Sequence, residues 1–199
     1  MTDEVSPHAR RVTLAGIIGS TLVTLALWYA LYHWLPEPAG ASPMSTALAC
    51  AAIAALLALV AGVEAVAHER LVTAAIDPLA GVETRRLRVN YRYLSNTVEQ
   101  YIVFVAGLLA LAVYASPRML IVVTIVWLLS RWAFWIGYHF NPLLRGIGAP
   151  GMMQSMIVLL YVAYRFGTES YGAAAGIGLL AIFALIEAFL FRVVTRPAQ

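Results

Sequence analysis

Apolar residues fill six long runs of the 199-residue chain, parted by short stretches rich in proline, glycine and charge. The first run, 12–35, is apolar apart from scattered Ser and Thr. It closes on Trp28, Tyr29, Tyr32, His33 and Trp34, an aromatic belt of the kind found where a helix leaves the hydrocarbon. Pro36, Pro38, Gly40 and Pro43 end it. The second run, 45–71, is rich in alanine, so neighbouring helices can approach it closely. Ile76 to Gly81 interrupts the pattern with a proline and a glycine, and a third run grows out of the arginine-rich stretch Glu83 to Tyr101 and continues to Ala115. Ser116-Pro117-Arg118 turns the chain into a fourth run, 119–140, which Asn141-Pro142 stops. Two more runs follow, 152–166 and 172–194, separated by 167–171. The fifth is shorter than the ~20 residues a straight span needs, so its helix is expected to begin inside the loop 143–151 or to sit in a thinned bilayer. The pattern predicts an all-α integral membrane protein of six spans, one membrane domain over 1–199.

Composition agrees with this and narrows the chemistry. At 62% hydrophobic and 12% charged, the chain has too much apolar surface for an ordinary soluble domain. The net charge of +3 is too small to argue for nucleic acid, and no nucleic-acid partner is expected. All 13 basic residues are arginine. On alternating sides of six spans, Arg10, Arg11, Arg70, Arg85, Arg86, Arg88, Arg92, Arg145, Arg192 and Arg196 fall together, against Arg118 and Arg165 on the other side. The positive-inside rule then places both termini, the second loop and the fourth loop in the cytoplasm, most simply of a bacterial inner membrane. The segment before the first run is polar, and the run exceeds a signal-peptide core, so it is expected to remain as a spanning helix. Cys50 lies in an Ala-rich run, is expected to be a small core residue, and says nothing of redox compartment.

The chemistry concentrates at two places. On a helix Arg88, Arg92, Asn96 and Glu99 stack along one face running inward from the membrane surface, a face suited to an anion. An ionisable group at that depth needs a partner or a wet cavity. The structural alternative is an Arg92–Glu99 or Arg131–Glu99 tie that locks the bundle. Arg131, Phe134 and Tyr138 form a stripe on the fourth run, with Arg145 just past the Asn-Pro break. With the third run starting and the fourth ending on the cytoplasmic side, both sets fall at a similar depth. Glu64 and His68, one turn apart, are read as a hydrogen-bonded pair near a helix end, with a proton relay as the alternative. No metal site is expected.

Through these two patterns the sequence resembles the MAPEG family, the membrane-associated proteins of eicosanoid and glutathione metabolism. One pattern is Arg92-x-x-x-Asn96-x-x-Glu99 at the start of a membrane helix; the other is Arg131, Tyr138 seven later, and Arg145 beyond the helix end. The resemblance covers about 63–166. It implies a four-helix unit over 45–166, with additional helices at 12–35 and 172–194. It further implies a homotrimer that binds glutathione as co-substrate between subunits, and a lipophilic small molecule or membrane lipid arriving from the bilayer. Carried over, Arg88, Arg92, Asn96, Glu99, Arg131 and Tyr138 would bind glutathione, and Arg145, with Tyr138, would be catalytic by stabilising the thiolate. Two positions depart from the pattern: Gln100 where several members have tyrosine, and Phe134 where they have tyrosine or histidine.

Three functions are compatible with these features. The first is a glutathione-dependent transferase or peroxidase acting on a hydrophobic electrophile. The second is a non-catalytic relative binding a lipid or a partner. The third is a small transporter using Glu64, His68, Glu99, Arg131 and Glu187, against which no inverted repeat is found.

Overall fold

A computed structural model describes residues 6–194, and all regular structure among them is helical. Six helices are long and apolar enough to cross a membrane. They are α1 (Pro7–Trp34), α2 (Pro43–Leu71), α3 (Arg85–Leu111), α4 (Pro117–Phe140), α5 (Ala149–Tyr171) and α6 (Ala173–Val194). At ~1.5 Å per residue even the shortest exceeds or matches the ~30 Å of hydrocarbon in a bilayer. Short 3₁₀ turns at Ala74–Ile76 and Pro142–Gly148 lead into α3 and α5. The chain is an integral, multi-pass membrane protein.

Local signals explain the starts. Ser6-Pro7, Ser42-Pro43, Ser116-Pro117 and Asn141-Pro142 each put a side-chain oxygen on a backbone N–H two or three residues later, with proline where a helix leaves an N–H unused. These caps extend α1 and α4 to Pro7 and Pro117, a few residues before the apolar runs begin. The fifth span is not short. It begins at Ala149, straight out of the 3₁₀ turn, and the expected separator 167–171 is its last turn, the break falling at Gly172 with φ +90°. Arg196, counted for orientation, lies outside the described residues.

Two compact units make up the chain, 1–156 and 157–199. In the first, α4 is the centre: it meets α1, α2, α3 and the 142–148 turn. Trp127, Leu120, Val122 and Val126 are fully enclosed, and α2 brings Ala47, Ala54 and Ala58 to the contact with no exposed surface. Hydrocarbon tails are as apolar as leucine, so burial alone does not drive such packing; close van der Waals fit and a few hydrogen bonds do. Three of these bonds bind α2. Tyr101 Oη donates to the Ala51 carbonyl (3.0 Å), Tyr93 Oη to Ala58 (3.1 Å) and Trp132 Nε1 to Leu57 (3.1 Å). Each is worth on the order of 1 kcal/mol in a bilayer. The last two carbonyls lie in a π-helical turn, Ala55–Val60, whose widened backbone turns carbonyls outward to meet aromatic donors. In the second unit Gly167 and Gly176 bring the end of α5 against α6; a β-carbon on Gly167 would lie 2.9 Å from the Gly176 backbone.

Candidate functional site

Arg131 is the pivot. Halfway along α4 and 1% exposed, its guanidinium could not sit there unpaired, since a bare charge at membrane depth is expensive. Nη1 donates to Asn96 Oδ1 (2.9 Å) and Nη2 to the Gly148 carbonyl (2.6 Å), and its charge lies over the Phe134 ring, 5.3 Å from the centroid. One side chain thereby pins α3, α4 and the 142–148 turn at a single point. Gly148 is required by this approach. A β-carbon there would collide with Phe134 Cβ and lie 2.9 Å from the Ser130 carbonyl.

The Arg131–Glu99 and Arg92–Glu99 ties do not form. Asn96, not Glu99, takes the Arg131 charge, and Gln100, one turn on, donates a second bond to Asn96 Oδ1 (3.1 Å). Among the described residues none pairs with Arg92, Glu99 or Arg145, and all three are exposed. Arg131 Nε and Gln100 Oε1 are buried and unpartnered.

These groups surround one cavity of about 510 Å³. Arg92, Asn96 and Glu99 line it from α3, Arg131 and Tyr138 from α4, and Arg145 from the 3₁₀ turn. Six of the seven side chains singled out from the sequence meet here, across separations of up to 53 positions between Arg92 and Arg145. The volume suits a small molecule. Tyr138 is held by packing with Val89, Tyr93 and Phe134, and its hydroxyl bonds to no described residue. Arg88 is the exception: one turn outward, it is absent from the lining and its Nε donates to Glu83 (3.0 Å).

Several contributors had no signal in the sequence. Thr13 and Ile17 of α1 form part of the wall, next to Gly146 and Gly148. Thr13 Oγ1 donates to the Leu143 carbonyl across 130 positions, and a β-carbon on Gly146 would sit 3.0 Å from Ile17 Cγ1. A second polar cluster lies on the opposite face of α3. Asn90 Oδ1 accepts from Trp135 Nε1 (2.9 Å) and His139 Nε2 (3.0 Å), and its amide donates to the Ala65 carbonyl. Nearby, buried Glu69 accepts from Thr84 Oγ1 (2.8 Å) and faces Arg86 at 3.6 Å. That network ties α2 to the start of α3. Glu64 and His68 form a 3.7 Å pair whose side chains are more than half exposed.

The family profile of the MAPEG family matches residues 45–168, more than half of the chain. The chain belongs to the MAPEG family. The match takes in α2 to α5 almost whole and leaves α1 and α6 outside it. An uncharacterized protein of Synechocystis is 38% identical over 77 residues, which cover 38% of this chain and 53% of that protein. The chain thus spans about half the length of the curated relative it matches. No solved structure matches it. Within this MAPEG chain the two departures from the family pattern have clear places. Phe134 supplies the aromatic face under Arg131, and Gln100 braces Asn96.

Proposed function

We propose that the protein is a glutathione-dependent transferase or peroxidase that acts on a hydrophobic electrophile at the membrane. The observation that carries this reading is the convergence of Arg92, Asn96, Glu99, Arg131, Tyr138 and Arg145 on one cavity. Charge complementarity supports the choice of ligand. Three guanidiniums and one carboxylate leave the cavity with two positive charges. Glutathione in its thiolate form carries two carboxylates, one ammonium and one thiolate, two negative charges in all, and neutralises it.

Arg92, exposed and lining the cavity, suits a carboxylate, since guanidinium donors match that geometry, the buried Arg131 adds its positive charge, and Glu99 suits the ammonium. Asn96 and Gln100, already braced to each other, offer amides to the peptide. Arg145, exposed and without a partner among the described residues, favours the thiolate, which is the nucleophile. Toward an α,β-unsaturated carbonyl the sulfur lone pair forms the S–C bond, the π electrons shift to the carbonyl oxygen, and the resulting enolate takes one proton from the Tyr138 phenol, which lines the cavity and is replenished from solvent. Toward a lipid hydroperoxide the sulfur takes the terminal oxygen and the O–O bond breaks. The alkoxide takes a proton, and a second glutathione turns the sulfenic acid into disulfide and water.

The family's oligomeric habit extends the proposal to a homotrimer, and the arginine distribution to cytoplasmic termini with the cavity opening on that side. A second reading, a non-catalytic lipid- or partner-binding protein, gains from Phe134, an apolar ring at a position that is polar in several relatives. Titrating the purified protein with glutathione decides between them. Thiolate absorbance in the ultraviolet that saturates with ligand, together with conjugation of a lipophilic electrophile, supports the enzyme; saturable binding of a lipid without any thiol binding supports the second reading.

A further inference from the structure

Outside the family unit, α1 is fastened to the rest of its unit at both ends. At one end Thr13 bonds to Leu143 and Ile17 meets Gly146. At the other, Arg118 Nε lies 3.3 Å from Glu37 Oε2, Arg118 Nη1 reaches the Leu35 carbonyl, and its charge covers the Tyr32 ring at 5.0 Å. Between these clamps α1 and α4 border a groove of about 430 Å³ that is open along one side, where Val23 and Leu129 are 68% and 48% exposed. Gly16, Gly19, Val23 and Leu27 line it from α1, and Val126 and Leu129 from α4.

Small residues on a membrane helix ordinarily let two backbones touch. Gly167 and Gly176 do that elsewhere in this chain, but a β-carbon placed on Gly19 would meet nothing within 4 Å. Here small residues leave space unfilled. The lining is mostly apolar: Ser20, Thr24 and Ser130 are its only polar residues, and the Ser20 hydroxyl is turned back onto the Ile17 carbonyl (3.1 Å). From Ala15 to Leu27 the wall runs ~18 Å at helical rise, long and narrow rather than round. At its cytoplasmic end stands Ile147, set between Gly146 and Gly148, both of which line the polar cavity. A β-carbon on Gly16 would lie 3.6 Å from Ile147, so the contact of α1 with this one side chain partitions the two spaces.

From this we infer that the cavity between α1 and α4 is the binding channel for the unbranched hydrocarbon chain of the lipophilic co-substrate, its reactive end at Ile147 beside Arg145 and Arg131 and its tail toward Leu27. The identity of the occupant as a co-substrate rests on the glutathione-dependent reading above; the channel itself does not. The extra helix thereby becomes the part of the molecule that sets chain-length specificity.

Gly19→Leu tests this, because the added side chain enters open space and leucine is the better helix former. A thermal melt within error of wild type confirms an intact fold, and Ala15→Leu at the same wall is the companion variant. With glutathione held saturating, the KM for dodecenal is expected to rise about tenfold or more in Gly19→Leu, on the scale of methylenes gained or lost in an apolar pocket. The KM for crotonaldehyde and for glutathione is expected to stay within twofold of wild type. A diazirine fatty acid is the second probe: it should label α4 around Leu129 saturably in wild type and lose that label in Gly19→Leu. Unchanged labelling together with an unchanged dodecenal-to-crotonaldehyde ratio overturns the channel. If no aldehyde is turned over and no thiol binds, yet labelling is saturable and lost in Gly19→Leu, the channel stands and the glutathione-dependent reading falls.

Discussion

Replacing Arg145 by alanine should move the thiol equilibrium of bound glutathione by a modest, calculable amount. The Arg145 side chain is exposed and pairs with no described residue. A unit charge ~4 Å from a sulfur is worth about 1 kcal/mol at the dielectric of water and about 4 kcal/mol at the effective value of ~20 found at partly covered sites. At about 1.36 kcal/mol per pKa unit, water-like screening takes a thiol from ~8.5 to ~7.8 and lifts the thiolate fraction at pH 7 from about 3% to about 14%. The covered case would lower the pKa by ~3 units and ionise almost all of it. The exposure of Arg145 argues for the first case, whereas Arg131, at 1% exposed, acts with far less screening. The assay is a pH titration of thiolate absorbance with glutathione saturating. Arg145→Ala should shift the midpoint up by about 0.7 unit. Removing a cation raises the thiol pKa, so the pH profile of turnover should move to higher pH by the same amount. Arg145→Lys should restore most of the shift as a point charge without the fork. No shift at all would assign the thiolate to Arg131 or Tyr138, and a shift near ~3 units would show that Arg145 is covered in the working protein, sinking the screening argument.

Arg92→Ala and Glu99→Ala should each abolish glutathione binding by calorimetry while leaving the oligomer and thermal stability unchanged within about 0.5 kcal/mol, because neither side chain bonds to any described residue; normal binding in both would mean the pocket is misplaced. Gly148→Ala should destabilise by about 1–3 kcal/mol in detergent melts, since the new methyl must displace Phe134 and the anchor of Arg131, and an unchanged melt would refute that packing. Arg131→Met, which keeps volume but orphans the Gly148 carbonyl, should lose thiol binding with a stability change of only about 1–3 kcal/mol, since a buried guanidinium carries its own desolvation cost; wild-type affinity would remove Arg131 from the site. Reporter fusions after Pro38 and after Gln199 should report the outside and the cytoplasm respectively, and a C-terminus on the outer side would overturn the proposed orientation.

Most of the helical content is legible without coordinates because it depends on local facts. Long apolar runs, Ser-Pro and Asn-Pro starts and glycine breaks act within a few residues, so the spans were visible and only their ends moved. The fifth span starts at Ala149, inside the loop 143–151 as the shortness of its apolar run implied; its far end was hidden because 167–171 read as a separator, yet those residues form its last turn. The site was legible to the same degree. Arg92, Asn96 and Glu99 share a helix face by spacing alone, as do Arg131 and Tyr138, and both sets line the one cavity.

What the sequence determined by itself, then, is the membrane class, the helices and which polar side chains share a helix face. Tertiary structure decided which polar group meets which. It gave the Arg131 charge to Asn96 and to the Gly148 carbonyl rather than to Glu99, turned Arg88 away to Glu83, buried Glu69 rather than Glu64, and set α1 against the 142–148 turn. The physical reason is that a spanning helix is apolar nearly all round, so its hydrophobic pattern does not say which face turns toward which neighbour. That choice is made by shape at glycines and alanines and by a handful of hydrogen bonds between residues as far apart as Thr13 and Leu143, and neither leaves a mark in local sequence.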